Sequence, residues 1–335
     1  MPLPPEQVQP GGNPPGRPGP ERPAHLSGAP SQGRPGEGHR LRGDPVSMPP
    51  VFDRPCFSWM ERFCGVRWGG GALISLYLSV ISGVIVALQY NPAEPFHSTS
   101  AIELIVPFGG FWRGLHYYSS QVFFLLLLCH FVAIICENTH YYSRSTWVRL
   151  SLSLPVAVLL LFSGYILRDD ATGEAAGQIA EHIMLSFPVI GGWLNDLLLS
   201  VSANGVKRVY ANHLAGLMLA GAWCIWPHIR RYPARWRDHL PLVCGIFLLA
   251  VFLVAPIEPQ RFGLVHIAGP WFFLGLQEAL RYAHPFWAGI ALPGLLLAAV
   301  LNLPHKGGRR KTYLFGIGIW LFLYVVLTVV STLRG

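Results

Sequence analysis

The chain has 335 residues, of which 52% are hydrophobic and only 13% are charged. A soluble protein carries roughly 25% charged residues, so the composition excludes an ordinary water-soluble domain and predicts an all-α protein that crosses a membrane several times. The net charge of +8 does not indicate nucleic acid as a partner. Its Lys and Arg residues lie in an N-terminal tail and in short loops between apolar runs, as membrane topology requires.

The N-terminal segment differs in composition from the rest of the chain. Residues 1–50 contain 14 of the 29 prolines and many glycines, and such a segment cannot bury enough surface to fold. We therefore expect a disordered tail over 1–50. Residues 51–68 mix aromatic and charged side chains and predict an interfacial amphipathic helix on the membrane surface. No apolar stretch precedes residue 68, so we expect no cleavable signal.

Seven apolar runs follow, and each predicts a membrane-spanning helix. They cover residues 69–90, 113–136, 147–167, 210–228, 240–256, 286–303 and 314–332. Basic residues concentrate in the loops on one side, which places that side and the N-terminus in the cytoplasm. We therefore expect a multi-pass protein of the cytoplasmic (inner) membrane. The long outer loop after the third run predicts two short helices, over 177–185 and 189–201.

Four histidines form two pairs in the second and fourth runs. His116 and His130 are 14 residues apart, and His213 and His228 are 15 apart. On an α-helix these intervals are about 21 and 22 Å, and both return to within about 60° of the starting face. Facing helices can then bind two flat macrocycles by bis-histidine ligation. The spacing predicts two haem b groups, although intramembrane histidines can also form hydrogen bonds between helices.

The predicted topology also pairs the histidines. Both helices run from outside to inside, so His116 faces His213 near the outer surface, and His130 faces His228 near the inner surface. An alternative from another class is a transporter whose histidines relay protons or bind ions. That alternative predicts no haem absorption.

These residues resemble cytochrome b of the quinol-oxidising bc and b-f complexes over roughly 52–332. The histidine spacing is similar to that of the plastid-type cytochrome b, and the seven runs are similar to that protein fused to its three-helix companion subunit. The resemblance implies a four-helix dihaem domain over residues 69–232 and a three-helix C-terminal domain over residues 233–335.

The resemblance extends to residues that would contact haem. Gly69 and Gly83 match a glycine pair that lets the porphyrin approach the backbone, although small residues also serve ordinary helix packing. Arg113 and Arg208 match arginines near the outer haem, where a guanidinium can bind a propionate. Arginines at a membrane boundary also act as snorkelling anchors.

The outer quinol pocket departs from the family. Tyr165 and Trp271 resemble its residues, but the family's Pro-Glu-Trp-Tyr reads Gly269-Pro270-Trp271-Phe272 here. A prolyl ring cannot accept a proton from quinol. The candidates for the missing acid-base group are Glu278, Glu258, His266 and Asp170. At the inner pocket the candidates are Arg67 and His140.

The resemblance implies the dihaem subunit of a membrane quinol:cytochrome c oxidoreductase that uses quinone or quinol as substrate. Its partners would be a Rieske iron-sulfur protein and a c-type cytochrome, in a complex that forms a homodimer. Pro270 favours a second hypothesis, in which the protein exchanges electrons between quinone and a multihaem or iron-sulfur partner. We do not expect a third, covalent haem, because Arg67 stands where its cysteine would be and only Cys64 lies nearby.

Overall fold

The computed structural model describes residues 58–137, 142–260, 267–304 and 309–334. The predicted tail, the first part of the predicted interfacial helix, His140 and His266 lie outside these ranges. Within them the ordered elements are all helical and no strand occurs. The prediction of an all-α membrane protein is confirmed.

The first half of the described chain contains eight helices. They are α1 Ser58–Gly65, α2 Trp68–Ala87, α3 Pro95–Leu104, α4 Gly109–Glu137, α5 Arg144–Ser151, α6 Ser153–Ile166, α7 Ala171–Leu185 and α8 Gly191–Leu198. The two expected surface helices are thus α7 and α8. α7 begins earlier than expected because the Asp170 side chain accepts a hydrogen bond from the Gly173 amide, 2.9 Å away, and caps the helix there.

The second half consists of shorter elements. They are α9 Val201–Asn204, α10 Lys207–Ala211, a π-helical turn Asn212–Gly216, α11 Leu217–Arg231, a 3₁₀ turn Trp236–His239, α12 Leu240–Phe252, α13 Leu274–Ala279, a π-helical turn Phe286–Ala291, α14 Leu292–Leu301 and α15 Arg309–Arg334.

Four helical segments of the described chain are long and apolar enough to cross a membrane. They are Trp68–Ala87, Gly109–Cys136, Arg144–Ile166 and Arg309–Arg334, and Phe286–Leu301 is a shorter apolar helix. The other two predicted spans correspond to residues 207–231, which a π turn interrupts, and to α12. Large apolar side chains on α15, such as Phe315 and Phe322, are exposed and suit contact with lipid. The count of seven spans stays a prediction.

Small buried residues let α2 pack closely against α4. Ala72, Ser75 and Ser82 are fully or almost fully buried on α2. The Ser82 hydroxyl donates to the Leu78 carbonyl at 2.6 Å, so this buried hydroxyl is satisfied within its own helix. The close approach brings the α2 backbone next to the histidines of α4.

A buried ion-pair network connects α13 to the end of α15. The Glu278 side chain is 1% exposed, and its carboxylate lies 2.8 Å from a guanidinium nitrogen of Arg334 and 3.3 Å from Nε of Arg281. The Tyr282 hydroxyl also donates to it at 2.8 Å. Because a buried carboxylate needs such partners, this network fixes α13, which begins two residues after Phe272.

Candidate haem-binding site

The outer histidine pair lies between α4 and the π turn at the start of α11. The ring centroids of His116 and His213 are 6.4 Å apart, and the ring planes are inclined by 80°. Since a first-row metal binds an imidazole nitrogen at about 2 Å, two imidazoles on opposite sides of one iron have centroids about 6.3 Å apart. The pair therefore has the separation that a bis-histidine haem requires.

Hydrogen bonds orient both outer imidazoles. Nδ1 of His116 lies 2.8 Å from the carbonyl oxygen of Ser79, which can only accept, so Nδ1 carries the proton. Nδ1 of His213 lies 2.8 Å from the Ser163 hydroxyl. That hydroxyl donates to the Leu159 carbonyl at 2.7 Å, so it accepts from His213. In both rings Nε2 keeps its lone pair, as an axial metal ligand must.

The inner pair has a similar separation. The centroids of His130 and His228 are 6.1 Å apart with an interplanar angle of 47°, and the Tyr232 ring lies 5.0 Å from that of His228. His130 follows His116 by 14 residues within α4, which corresponds to about 21 Å along the helix. The structure brings together the two pairs predicted from the spacing.

Glycines lie against three of the four histidines. A β-carbon on Gly83 would lie 2.8 Å from Cε1 of His116, and one on Gly69 would lie 2.9 Å from Cε1 of His130. A β-carbon on Gly164 of α6 would lie 3.5 Å from Cε1 of His213. A side chain at Gly69 or Gly83 would collide with an imidazole, so glycine at these positions lets the histidine rings pack against the α2 backbone.

A cavity of about 220 Å³ lies beside the outer pair. Its walls are mostly aliphatic, and its polar lining includes four tyrosines, Tyr90, Tyr117, Tyr165 and Tyr210. Apolar walls with a small number of convergent polar groups are typical of a cofactor or small-molecule site.

Two arginines line this cavity, and they differ in how they are bound. Arg113 donates from Nε to Glu103 at 2.6 Å and from its other two nitrogens to the carbonyls of Ala255 and Pro256. All three nitrogens of its guanidinium are therefore bound to the protein itself. Arg168, which the sequence analysis missed, is the second. Arg208 is half-buried and is not among the residues that line the cavity.

The aspartate that directly follows Arg168 has a raised pKa. Burial, and then the neighbouring carboxylates of Glu174 and Asp170, raise the pKa of Asp169. Asp169 also adopts a left-handed backbone conformation with φ of 53°. Asp170 is fully buried and paired with Arg168 at 3.2 Å.

The expected quinol residues separate into two groups. The Tyr165 hydroxyl lies 3.2 Å from that of Tyr117, and the Phe272 ring packs 5.6 Å from the Tyr165 ring. Trp271 donates from Nε1 to Gln121, a cavity residue, at 2.9 Å. Tyr165 and Trp271 thus meet at the outer cavity, whereas Glu278 lies in the network between α13 and α15.

The other candidates for the missing carboxylate are also engaged elsewhere. Asp170 caps α7 and accepts the Glu258 amide at 3.0 Å. The Glu258 carboxylate accepts a short hydrogen bond from the Thr172 hydroxyl. Within the described part of the chain, neither carboxylate is among the residues that line the outer cavity.

A second pocket lies at the other end of α2. It has a volume of about 570 Å³ and is lined by Arg67, Asp238 and His239 among others. Arg67 forms an ion pair with Asp238 at 3.3 Å, and a β-carbon on Gly70 would lie 2.5 Å from Nε2 of His239. The sequence analysis proposed Arg67 but missed Asp238 and His239, because only the fold brings the 3₁₀ turn to the start of α2.

The fold and the paired histidines define a helical membrane protein with two candidate bis-histidine sites inside it. The sequence model of the cytochrome b/b6/petB family matches residues 54–225, just over half of the chain. The chain therefore belongs to the cytochrome b family, a family of membrane electron-transport proteins whose cofactor is haem b.

Individual relatives agree with this assignment. The chain is 26% identical over 196 residues to cytochrome b6 of Heliomicrobium gestii, which covers 57% of this chain and 81% of that protein. It is 30% identical over 160 residues to cytochrome b6 of Gracilaria tenuistipitata var. liui, covering 46% of this chain and 74% of that protein. A solved chain titled hyperthermophilic respiratory Complex III has the same fold, with a TM-score of 0.61 and 21% identity over 79% of this chain and 83% of that chain.

Proposed function

We propose that this chain is the dihaem cytochrome b subunit of a membrane quinol:cytochrome c oxidoreductase. His116 and His213 would hold the outer haem, and His130 and His228 the inner haem. The observation that carries the proposal is the facing of the two pairs, with ring centroids 6.4 and 6.1 Å apart. If the histidines served only helix packing, there would be no reason for both centroid separations to equal the distance expected for two imidazoles that bind one iron.

The surrounding residues are suited to their tasks. Bound haem would supply one-electron redox chemistry at each pair. The Ser79 carbonyl and the Ser163 hydroxyl hold the outer imidazoles with Nε2 free. Gly69 and Gly83 leave room for the His130 and His116 rings against α2. Because both pairs lie on the same helices, electrons would move between them along the membrane normal.

Quinone sites are proposed at both ends of this path. At the outer end, Tyr165, Trp271 and Phe272 form an aromatic wall beside the cavity. At the inner end, Asp238 and His239 offer groups that can exchange protons with a quinone, next to Arg67.

The proposed setting is the cytoplasmic membrane, with the N-terminus in the cytoplasm, quinone and lipid as neighbours, and a Rieske protein and a c-type cytochrome as partners in a homodimeric complex. Basic residues support this orientation, because Arg144, Arg149, Arg230 and Arg231 lie on the helices at the level of the inner pair.

A reduced-minus-oxidised absorption spectrum of the purified protein tests the haem assignment. We expect two b-type signals, of which His213→Ala removes one and leaves the other. A spectrum without haem would instead favour the proton-relaying transporter. Two retained haem signals in His213→Ala would contradict the pairing.

Pro270 favours a second candidate function. It is buried where the family has a glutamate, and Glu103, beside the outer cavity, is bound to Arg113. In this candidate, the protein exchanges electrons between quinone and a multihaem or iron-sulfur partner. Quinol-driven haem reduction that is insensitive to outer-site inhibitors and unchanged in Glu278→Gln would support it over bifurcated quinol oxidation.

A further inference from the structure

Arg168 lies where α6 ends and the outer loop begins. It is 8% exposed and lines the same cavity as His116 and His213. Its guanidinium carbon is 4.5 Å from the centroid of the Tyr165 ring. A cation in this position is held in a largely apolar wall and needs compensation.

The compensation that the protein provides is incomplete. Arg168 donates from one terminal nitrogen to the Pro256 carbonyl at 3.1 Å and from the other to Asp170 at 3.3 Å. Asp170 is shared, since its carboxylate also accepts the amides of Gly173 and Glu258. Nε of Arg168 is buried and has no hydrogen-bond partner. A buried donor without an acceptor is destabilising unless a ligand satisfies it.

Arg113 provides the contrast within the same cavity. Its Nε and both terminal nitrogens are all bonded, to Glu103, Pro256 and Ala255. The two arginines share the Pro256 carbonyl, so two cations meet at the outer end of the cavity. Of the two arginines, only Arg168 has a guanidinium nitrogen without a hydrogen-bond partner.

We propose that the guanidinium of Arg168 binds a carboxylate of the cavity's ligand. If the proposed function holds, this carboxylate is a propionate of the outer haem. An amphipathic ligand with an apolar body and carboxylates at one edge suits a cavity with aliphatic walls and a cation at its outer end. This contact would be additional to those that the resemblance implies for Arg113 and Arg208.

The test is a redox titration of both haems in the purified wild-type complex, freed of quinone, and in its Arg168→Gln variant. The outer haem is identified as the signal absent from His213→Ala. Because a nearby cation favours the reduced haem, we expect its loss to lower the equilibrium constant for reduction of the outer haem about tenfold, or about 59 mV for one electron. The inner haem should not change.

Lys207→Gln is the matched control, because it removes one exposed cation near the outer end of the helix that carries His213. An equal shift in both variants would show a general charge effect and overturn the contact. An unchanged reduction potential of the outer haem in Arg168→Gln would also overturn the contact. If the potential is unchanged and only the KM for quinol rises, Arg168 contacts quinone rather than haem, and the inference is wrong. A wild type without haem would overturn the proposed function instead.

Arg168→Lys resolves the case in which Arg168→Gln loses the outer haem. Retention of the haem in Arg168→Lys supports a charged contact. Loss in both variants, with the inner haem retained, would show that the side chain acts through packing and would overturn the inference.

Discussion

Replacing Gly83 by alanine should remove the outer haem selectively. The added carbon would lie 2.8 Å from Cε1 of His116, whereas ordinary contact begins at 3.4 Å, so the ring must retreat by about 0.6 Å, beyond the roughly 0.5 Å that a ligand constellation tolerates. The hydrogen bond from Nδ1 to the Ser79 carbonyl opposes that movement. Overpacking of this kind costs about 1–3 kcal/mol, which corresponds to roughly 5- to 150-fold weaker haem binding.

The assay is haem content per polypeptide, resolved into its two spectral components. Gly69→Ala is the reciprocal variant and should affect only the inner component, because its β-carbon would meet His130. Gly245→Ala on α12 is the control, because nothing lies within 4 Å of its β-carbon. Two haem signals of wild-type intensity and shape in Gly83→Ala would refute the reasoning.

Three further predictions concern the orienting hydroxyl, the buried network and pH. Ser163→Ala should leave Nδ1 of His213 without its acceptor, weaken the outer haem by about 1–3 kcal/mol, and spare the inner one in the same spectra. Glu278→Gln should lower the free energy of unfolding by about 1–3 kcal/mol, less than a fully buried pair would lose because its arginines are half-exposed, with both haem spectra unchanged; a shifted haem spectrum at wild-type stability would argue against a purely structural role. Burial tends to raise the pKa of Glu181, but hydrogen bonds from Ser202 and Asn195 outweigh it and lower that pKa. This carboxylate therefore stabilises the fold above its ordinary pKa, and that contribution is lost as pH falls through the lowered value. Thermal unfolding of Glu181→Gln should be less sensitive to acid than wild type, and an Asp196→Asn control should not differ from wild type.

The histidine pairs could be predicted because helical periodicity alone relates residues 14 apart. No long-range information is needed to place His116 and His130 on one face of α4. Which histidine of the fourth span faces His116 can be predicted once the direction in which each of the two helices crosses the membrane is known. The structure brings the same four imidazoles together, and their role as ligands stays a prediction.

The contacts of single polar residues could not be predicted in this way. Arg168 and Pro256 are 88 residues apart in the chain, and Glu278 meets Arg334 across two different helices. Such contacts depend on how distant segments pack, which a pattern within one helix does not encode. Glu278 was therefore chosen for its chemistry and its place near Trp271, although the fold directs it into another network. The run Arg168-Asp169-Asp170 directly after an apolar segment was the one available signal of a cation at the cavity.

The π turn at Asn212–Gly216 explains why the two helices use different intervals between their histidines. A π turn bonds each residue to the fifth one along instead of the fourth, so it accommodates one extra residue in a single turn. The 15 residues from His213 to His228 therefore complete nearly the same rotation as the 14 residues of α4. The π turn accommodates the additional residue between His213 and His228 by widening the helix locally. Both histidine pairs therefore face each other although the two intervals differ in length.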